Sequence, residues 1–246
     1  MIDPIAFSGF GLQIRWYGIY YALGFLISYY FVMHFAKDFK LRKEFVEDTF
    51  FYFMIASVLG GRLFYILFYN LGYYLSNPLK VFAVWEGGMS IHGGIAMGVL
   101  AIYICSKKEK VNPLKVTDLF SIPAALGLAF GRLLNFINQE LVGTITSSKL
   151  GVVFPLVDGE NRWPYQLFAG FKNLIVFNIL LYVHFFKKYK TGTLTALFLI
   201  LYSLGRFALD FLREPTVSLG LISMGQLLSL VYAAIGFYIL YKVNKN

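Results

Sequence analysis

One short stretch of this sequence, GRLLNFINQELVG at positions 131–143, concentrates hydrogen-bonding side chains in an otherwise apolar chain. Its polar members are Arg132, Asn135, Asn138, Gln139 and Glu140. The i, i+3, i+7 spacing places Arg132, Asn135 and Gln139 on one face of a helix, with the other two beside it. A helix-end cap is the alternative, but a cap needs one or two polar groups and this stretch supplies five. Because a guanidinium fork binds phosphate or carboxylate bidentately, we predict an anion-binding site here.

Four further candidates lie within or beside apolar runs, where polar and charged groups usually face a protein interior or a wet cavity. Arg206 and Asp210, in GRFALDFLREP, are one helical turn apart, so we predict that they pair. The pair either fixes helix packing or lets Asp210 orient Arg206 toward a ligand. Arg62, in LGGRLFYILF, is a candidate substrate-binding residue. Tyr17, in IRWYG, either belongs to an interfacial aromatic belt or hydrogen-bonds a lipid head group.

His92 lies in WEGGMSIHGGIAMG, a segment rich in glycine. A lone histidine is more often structural than catalytic, yet histidine also acts as a general base near neutral pH, and the residues leave both roles open. Gly94 and Gly98 have the small-xxx-small spacing that permits close helix approach. Gly127 and Gly131, next to the polar stretch, repeat that spacing, so we expect tight helix contacts at both places.

The composition indicates that these residues are positioned by membrane helices. Of 246 residues, 58% are hydrophobic and only 14% charged, against roughly a quarter charged in soluble domains. We predict an all-α polytopic membrane protein, one catalytic domain over 1–246 with an extracytoplasmic loop region at 137–166. Runs of about 20 apolar residues each span a bilayer. The seven predicted spans are 17–36, 49–68, 89–106, 116–135, 167–186, 193–212 and 221–241.

The basic residues sort by type along the chain. Four segments, KDFKLRK, KKEKVNPLK, KKYK and the tail KVNKN, hold 13 of the 22 basic residues, and 12 of those are lysine. By the positive-inside rule these segments are cytoplasmic, so the N-terminus lies outside and the C-terminus inside. The other basic residues are Arg15, Arg62, Lys80, Arg132, Lys149, Arg162, Lys172, Arg206 and Arg213. Six of the seven arginines thus lie toward the outer side, which indicates an anion site at the outer leaflet.

Several classes of protein are disfavoured by the motifs. The sequence has no zinc motif, phosphate loop or serine-nucleophile elbow. We predict no nucleic-acid partner. A transporter or flippase for an anionic lipid or metabolite remains a competing hypothesis, because it also uses intramembrane arginines and glycine-broken helices. Against it, the polar groups gather on the outer side and no internal repeat is visible.

Taken together, these motifs resemble the bacterial prolipoprotein diacylglyceryl transferase family. The family pattern reads GR, any residue, Gly or Ala, NF, an apolar residue, N, any residue, E, two residues, G. The chain matches it except at Leu134. The likeness extends to IRWYG, GGRLFYILFYN, WEGGMSIHGG and GRFALDFLREP and covers essentially the whole chain. The chain also departs from the family at WPYQLFA, 163–169, where His-Pro-Ser-Gln-Leu-Tyr-Glu is usual, and at Asp210, where glutamate is usual.

The resemblance implies a reaction in the bacterial cytoplasmic membrane. A diacylglyceryl group moves from phosphatidylglycerol to the lipobox cysteine in a prolipoprotein signal peptide, a thioether forms, and glycerol phosphate leaves. Arg132 and Arg206 match the family's key arginines and would stabilise the leaving phosphate. His92 is the candidate base, and a thiol pKa lowered by the arginines is the open alternative. The candidate substrate-binding residues are Tyr17, Arg62, Asn135, Asn138, Glu140, Gly143 and Asp210. The resemblance implies no metal and no cofactor. A family member that binds lipid or lipoprotein without turnover is a third hypothesis.

Overall fold

The computed structural model describes the backbone of residues 5–9, 12–83, 87–214, 218–219 and 222–245, with side chains from Gly18 onward except Tyr21 and 215–221. The helices are α1 (Trp16–Phe35), α2 (Lys43–Tyr69), α3 (Leu71–Ser76), a 3-10 helix (Pro78–Phe82), α4 (Ile91–Lys108), α5 (Pro113–Ile137), α6 (Tyr165–Phe186), α7 (Thr193–Asp210) and α8 (Met224–Lys245). Short antiparallel strand pairs join β1 (Ile5–Gly9) to β2 (Leu12–Arg15), β3 (Val152–Val153) to β4 (Asn161–Arg162), and β5 (Ser218–Leu219) to β6 (Ile222–Ser223).

Each of the seven predicted spans overlaps one of the long helices in the described part of the chain. Six of these helices are long and apolar enough to cross a membrane: α1, α2, α5, α6, α7 and α8. The remaining one, α4, occupies the predicted span 89–106, but its glycines, its histidine and its terminal lysines reduce its apolar character. Large apolar side chains are also exposed along the helices, among them Phe171 at 67% and Tyr241 at 62%. Such a surface suits lipid rather than water, and the chain is a multi-pass membrane protein.

The chain divides into two compact units. One comprises Gly18–Leu119, and the other comprises Met1–Tyr17 together with Phe120–Asn246. We call the first the 18–119 unit and the second the 120–246 unit. The sequence predicts a single catalytic domain over both, and that prediction stays open.

In the 18–119 unit, α2 packs closely against α4 through glycines. A Cβ at Gly98 would lie 2.5 Å from the Ser57 hydroxyl oxygen, and one at Gly94 would lie 3.1 Å from the Ser57 carbonyl oxygen. A Cβ at Gly93 would overlap the Gly60 carbonyl oxygen. The tight contact predicted from Gly94 and Gly98 is therefore confirmed.

The same prediction finds no support on α5 among the described residues. A Cβ at Gly127 or Gly131 would meet no described atom within 4 Å. The small-xxx-small spacing permits close approach but does not cause it, because a partner must supply a matching surface.

Two lysine-rich segments meet at one end of the 18–119 unit. Arg42 Nη2 lies 2.5 Å from Glu109 Oε2, and Lys115 Nζ donates to the Lys40 carbonyl oxygen at 3.5 Å. An exposed ion pair of this kind adds at most about 1 kcal/mol. The ion pair is informative about topology, because it joins two segments that are predicted to lie on the same side of the membrane.

Candidate active site

Three cationic side chains from three helices of the 120–246 unit line one cavity. They are Arg132 on α5, Lys172 on α6 and Arg206 on α7. The other lining residues are Tyr165, Ala169, Asn173, Tyr202 and Leu209. The cavity encloses only about 10 Å³, roughly the space of one water, so a phosphate can enter only if the long side chains around it move.

Arg132 is held from its own helix by a short hydrogen-bonded chain. Its Nη1 donates to Asn135 Oδ1 at 3.2 Å, and Asn135 Nδ2 donates to Glu140 Oε2 at 3.1 Å. The shared face predicted for Arg132 and Asn135 from their i, i+3 spacing is confirmed. These two hydrogen bonds orient the guanidinium of Arg132. Its other N–H groups form no hydrogen bonds to described residues, so the guanidinium can bind an anion.

The rest of the polar stretch lies beyond the helix, because α5 ends at Ile137. Gln139 has a left-handed φ of 56°, and its Oε1 accepts from the Leu156 backbone N–H at 2.8 Å. The predicted helix face for Gln139 is therefore wrong, since the chain turns before reaching it. Asn138 closes the last turn by donating its backbone N–H to the Leu134 carbonyl oxygen at 2.8 Å. The helix-end alternative thus explains part of the stretch.

On α6, Tyr165 and Gln166 connect the cavity to that turn. Gln166 is fully buried and donates from Nε2 to the Glu140 carbonyl oxygen at 2.7 Å. The Tyr165 ring is buried, with the Cζ atoms of Arg132 and Arg213 each 5.9 Å from its centroid. A ring face stabilises cations in this range by about 0.5–2 kcal/mol. Tyr165 therefore holds two arginines near each other.

Asp210 is buried and does not form the predicted pair with Arg206. Its Oδ2 accepts from the Ser223 hydroxyl, and its Oδ1 lies 4.0 Å from Arg213 Nη1. Arg206 is nevertheless close, because a Cβ added at Gly225 would lie 3.1 Å from both Arg206 Nη2 and Asp210 Oδ2. The i, i+4 spacing was a sound indication of proximity, but the carboxylate turns toward α8.

A backbone cap lies next to the cavity and depends on Gly143. The Gly143 N–H donates to the Trp163 carbonyl oxygen at 3.1 Å, and the Thr144 N–H donates to the Leu212 carbonyl oxygen at 2.9 Å. A Cβ at Gly143 would overlap the Trp163 carbonyl oxygen and lie 2.7 Å from that of Leu212. Gly143 therefore allows the chain segments after α5, before α6 and after α7 to meet.

Arg162 stabilises the same cap from inside, although in the sequence it was counted only among the arginines that indicate an anion site. Its guanidinium is buried, donates from Nη1 to the Gly143 carbonyl oxygen at 3.0 Å and pairs with Asp158 at 2.5 Å and Glu214 at 2.7 Å. The hydrogen bond from Arg162 lowers the pKa of the Asp158 carboxyl, and the same bond raises the pKa of Arg162. Arg162 therefore has a structural role in the cap.

Arg62, in the 18–119 unit, has no donor left for a substrate. Its Nε donates to the Val81 carbonyl oxygen at 3.0 Å, and its other four N–H groups donate to the carbonyls of Lys80, Ala83, Gly87 and Gly88. A guanidinium has five N–H groups, and all are used. This geometry argues against the direct substrate contact predicted for Arg62 and gives it a structural role.

His92 and Tyr17 are the two remaining predicted site residues. His92 is the second residue of α4 and is exposed, in the first turn that Ser90 caps by accepting from the Gly93 N–H at 3.4 Å. It belongs to the 18–119 unit. The side chain of Tyr17 lies outside the described residues. No three His, Cys, Asp or Glu side chains in the described part of the chain are grouped so as to hold a metal ion.

The sequence comparisons decide the family. The family model described as "Prolipoprotein diacylglyceryl transferase" matches residues 4–242. The chain belongs to the prolipoprotein diacylglyceryl transferase family. Among curated relatives, the phosphatidylglycerol--prolipoprotein diacylglyceryl transferase of Geobacter sulfurreducens is 42% identical over 252 residues, covering 100% of this chain and 96% of the relative. The proteins of that name from Rickettsia bellii and Ehrlichia canis are 40% and 39% identical, over 99% and 97% of this chain.

Membership in this transferase family confirms the resemblance and leaves the transporter hypothesis without support. It also gives meaning to two residues of the cavity. Tyr165 and Ala169 stand in the segment where the chain departs from the usual family pattern, Tyr165 in place of serine and Ala169 in place of glutamate. At these two positions the cavity is therefore lined by an aromatic ring and a methyl group rather than by a hydroxyl and a carboxylate.

Proposed function

We propose that this protein transfers the diacylglyceryl group of phosphatidylglycerol to the lipobox cysteine of prolipoproteins, the first step of bacterial lipoprotein maturation. One observation carries the proposal beyond the family name. Arg132 and Arg206 come from different helices to one cavity, and none of the described residues that line it carries a carboxylate. Such a site suits an anionic lipid head group.

The chemistry is a displacement at carbon. The cysteine sulfur attacks the glycerol carbon of the lipid that carries the phosphate ester, so a C–S bond forms while the C–O bond breaks. The electron pair of that bond leaves with the phosphate oxygen, and glycerol phosphate is released with one more negative charge than the phosphodiester had. Arg132 and Arg206 stabilise this developing charge, a kind of interaction whose loss typically costs about 10²–10³ in turnover.

The thiol must lose its proton to become a good nucleophile. His92 is the proposed base, which would contribute about 10²–10⁴ in rate. The alternative is that the arginines lower the pKa of the thiol enough for a solvent base to suffice. The exposed position of His92 in the first turn of α4 suits contact with a peptide or lipid at the membrane surface.

The neighbouring residues position the two arginines. Asn135 and Glu140 form the hydrogen-bonded chain that orients Arg132, and Gly143 permits the cap beside it. Asp210, turned toward Ser223 and Arg213, fixes the end of α7 that carries Arg206. Tyr17 and Asn138 remain proposed head-group contacts on the strength of the family resemblance. Arg62 is proposed to be structural.

The protein is further proposed to cross the bacterial cytoplasmic membrane seven times, with α4 as the additional span. The N-terminus and residues 137–166 then face outward and the C-terminus faces the cytoplasm. The contacts between the lysine-rich segments before α2 and after α4 support this arrangement.

The deciding experiment is a mass shift on a fluorescent lipobox peptide incubated with the detergent-purified protein. We expect addition of a diacylglyceryl group with phosphatidylglycerol and none with phosphatidylethanolamine. Arg132→Ala should lower turnover by about 10²-fold or more, whereas Lys149→Ala, at an exposed outer lysine, should not change it. Equal lipidation with both lipids, or undiminished turnover in Arg132→Ala, would contradict the proposal.

A second arm tests the orientation with a membrane-impermeant peptide. Vesicles that expose the proposed outer face should lipidate it, and inverted vesicles should not until they are permeabilised. Activity in inverted vesicles alone would reverse the assigned topology.

A family member that binds the lipid without turnover is the second candidate, favoured by Tyr165 and Ala169 in the cavity lining. Bound phosphatidylglycerol with no lipidated peptide would support it. Restoring Ala169→Glu and Tyr165→Ser would then be expected to restore product.

A further inference from the structure

A third cation, Lys172, shares the cavity with the two arginines. Its Nζ lies 4.0 Å from the centroid of the Tyr202 ring and donates to the Tyr202 carbonyl oxygen at 3.3 Å. An ammonium has three N–H groups, so this contact leaves two for another acceptor. Neither the sequence motifs nor the family pattern assigns Lys172 a role.

The neighbouring helix has a gap that accommodates the Lys172 stem. A Cβ added at Gly205 would lie 2.6 Å from Lys172 Cδ and 2.9 Å from its Cγ. Gly205 directly precedes Arg206 on α7. The absence of a side chain at position 205 therefore lets Lys172 extend along α7 to the place where Arg206 lines the cavity.

The charges in this cavity are unbalanced. Arg132, Lys172 and Arg206 line it, whereas Glu140 and Asp210 do not, and position 169 carries alanine. Like charges held together repel one another, and an anion that enters relieves that repulsion. The relief is larger for an anion with more charge.

The two phosphates of the proposed reaction differ in this respect. The lipid donor is a phosphodiester with one negative charge. The departing glycerol phosphate is a monoester, with a charge of about −1.5 to −2 near neutral pH by analogy with other phosphate monoesters. The attraction between a cation and an anion grows with the charge of the anion, so Lys172 is attracted about 1.5 to 2 times as strongly by the departing monoester as by the diester, and that attraction increases as the C–O bond breaks.

We propose that Lys172 is a third phosphate-site cation that binds the departing glycerol phosphate more strongly than the phosphate of the intact lipid. The inference rests on the proposed transfer reaction for the identity of the ligand. Lys172 stabilises the transition state and the product in this account, and contributes little to binding of the donor lipid.

The first test compares wild-type protein with Lys172→Met, which keeps an unbranched apolar stem and removes the charge. We expect the inhibition constant of added glycerol phosphate to rise about tenfold, as for a lost charge-assisted hydrogen bond. The kcat should fall by a similar factor, while KM for phosphatidylglycerol changes by less than about threefold. Lys172→Arg should recover most of the inhibition by glycerol phosphate, and the exposed Lys149→Met serves as the matched control.

A second variant tests the route of the side chain. Gly205→Ala should displace the Lys172 stem and weaken inhibition by glycerol phosphate in the wild-type background. In a Lys172→Ala background, where Cγ and Cδ are absent, the same Gly205→Ala change should have little further effect. A double-mutant cycle of this kind isolates the contact from any general loss of stability.

The outcomes separate this inference from the proposed function. Unchanged inhibition by glycerol phosphate in Lys172→Met, or loss of turnover that Lys172→Arg does not recover, would overturn the role of Lys172 and leave the transferase intact. If the wild-type protein fails to lipidate the peptide, calorimetric binding of glycerol phosphate still tests Lys172 without turnover. Binding that is equal in wild type and Lys172→Met would then overturn the inference.

Discussion

Arginine residues of similar sequence context have different roles in this protein, and the difference lies in the acceptors around them. Arg62 and Arg132 both occur in apolar helices next to glycine. Five backbone carbonyls between α3 and α4 accept all five N–H groups of Arg62, whereas Arg132 gives one hydrogen bond to Asn135. The Arg62 guanidinium therefore has a structural role, whereas the Arg132 guanidinium keeps N–H groups that can bind an anion.

The two roles predict opposite responses to the same substitution. Arg62→Met leaves five carbonyls without their donor, so we expect the thermal unfolding temperature in detergent to fall by several degrees or more. Arg132→Met should change that temperature little while abolishing most turnover. Scanning fluorimetry and lipidation of the peptide measure the two effects. If Arg62→Met unfolds at the normal temperature but no longer binds phosphatidylglycerol, the result would support direct contact between Arg62 and the substrate.

A few backbone hydrogen bonds and ion pairs position the ends of the long helices. The Gly143 and Thr144 backbone pairs with segments from before α6 and after α7, and Arg162 ties the cap together through Asp158 and Glu214. Because Arg132 and Arg206 lie near the ends of α5 and α7, a loose cap would let the two guanidinium groups separate.

The cap should be sensitive to acid. The pKa of Asp158 is lower in the folded protein than its ordinary value, mainly through the Arg162 hydrogen bond. The carboxylate therefore stabilises the cap above its unfolded pKa of about 3.9, and this contribution is lost as the pH falls below that value and through the folded pKa. Amide hydrogen exchange of residues 143–162, corrected for its intrinsic pH dependence, should show weaker protection below about pH 4.

Two variants make the acid response specific. Asp158→Asn should show weakened cap protection already at neutral pH and little further change on acidification. Glu160→Gln, at an exposed neighbour, should behave as the wild type. A wild-type cap whose protection is the same on both sides of pH 4 would mean that the Asp158–Arg162 pair does not hold it.

The helix contact between α2 and α4 gives a prediction with an internal control. Gly93→Ala brings a methyl group onto the Gly60 carbonyl oxygen and the Phe64 side chain, and we expect it to lower stability by about 1–3 kcal/mol. Gly127→Ala on α5 meets no described atom within 4 Å and should be neutral or stabilising by up to about 1 kcal/mol. Thermal unfolding of the two proteins in the same detergent compares them. Equal losses of stability would mean that a residue outside the described part of the chain packs against α5 at Gly127.

Across the whole molecule, the hydropathy of the chain predicted the helices better than the connections. Apolar runs identified all seven long helices of the described chain, because length and hydrophobicity are local properties. The starts were less accurate: α2 begins at Lys43 rather than at 49, since a charged first turn outside the lipid does not end a helix. The two-residue strands β3 and β4 were not predicted, because their partners are distant in sequence and leave no periodicity.

The site was predictable where one helix contained the signal. Arg132 and Asn135 share a face by spacing alone, and the structure confirms it. Asp210 was expected to pair with Arg206, but Ser223 and Arg213 compete for it from outside that helix. Lys172 was counted only as an outer basic residue. Lys172 is seven residues after Tyr165 and so shares its helix face, but the sequence does not show that this face lines a cavity.

The buried Arg62 also has a consequence for how the chain enters the membrane during synthesis. An arginine at the centre of a single apolar helix opposes insertion by about 2.5–3.5 kcal/mol. The carbonyls that accept from Arg62 belong to Lys80, Val81, Ala83, Gly87 and Gly88, which are made after α2. Arg62 therefore lacks these hydrogen-bond acceptors until the following segment has left the ribosome, and we expect the final packing of α2 in the bilayer to depend on that segment.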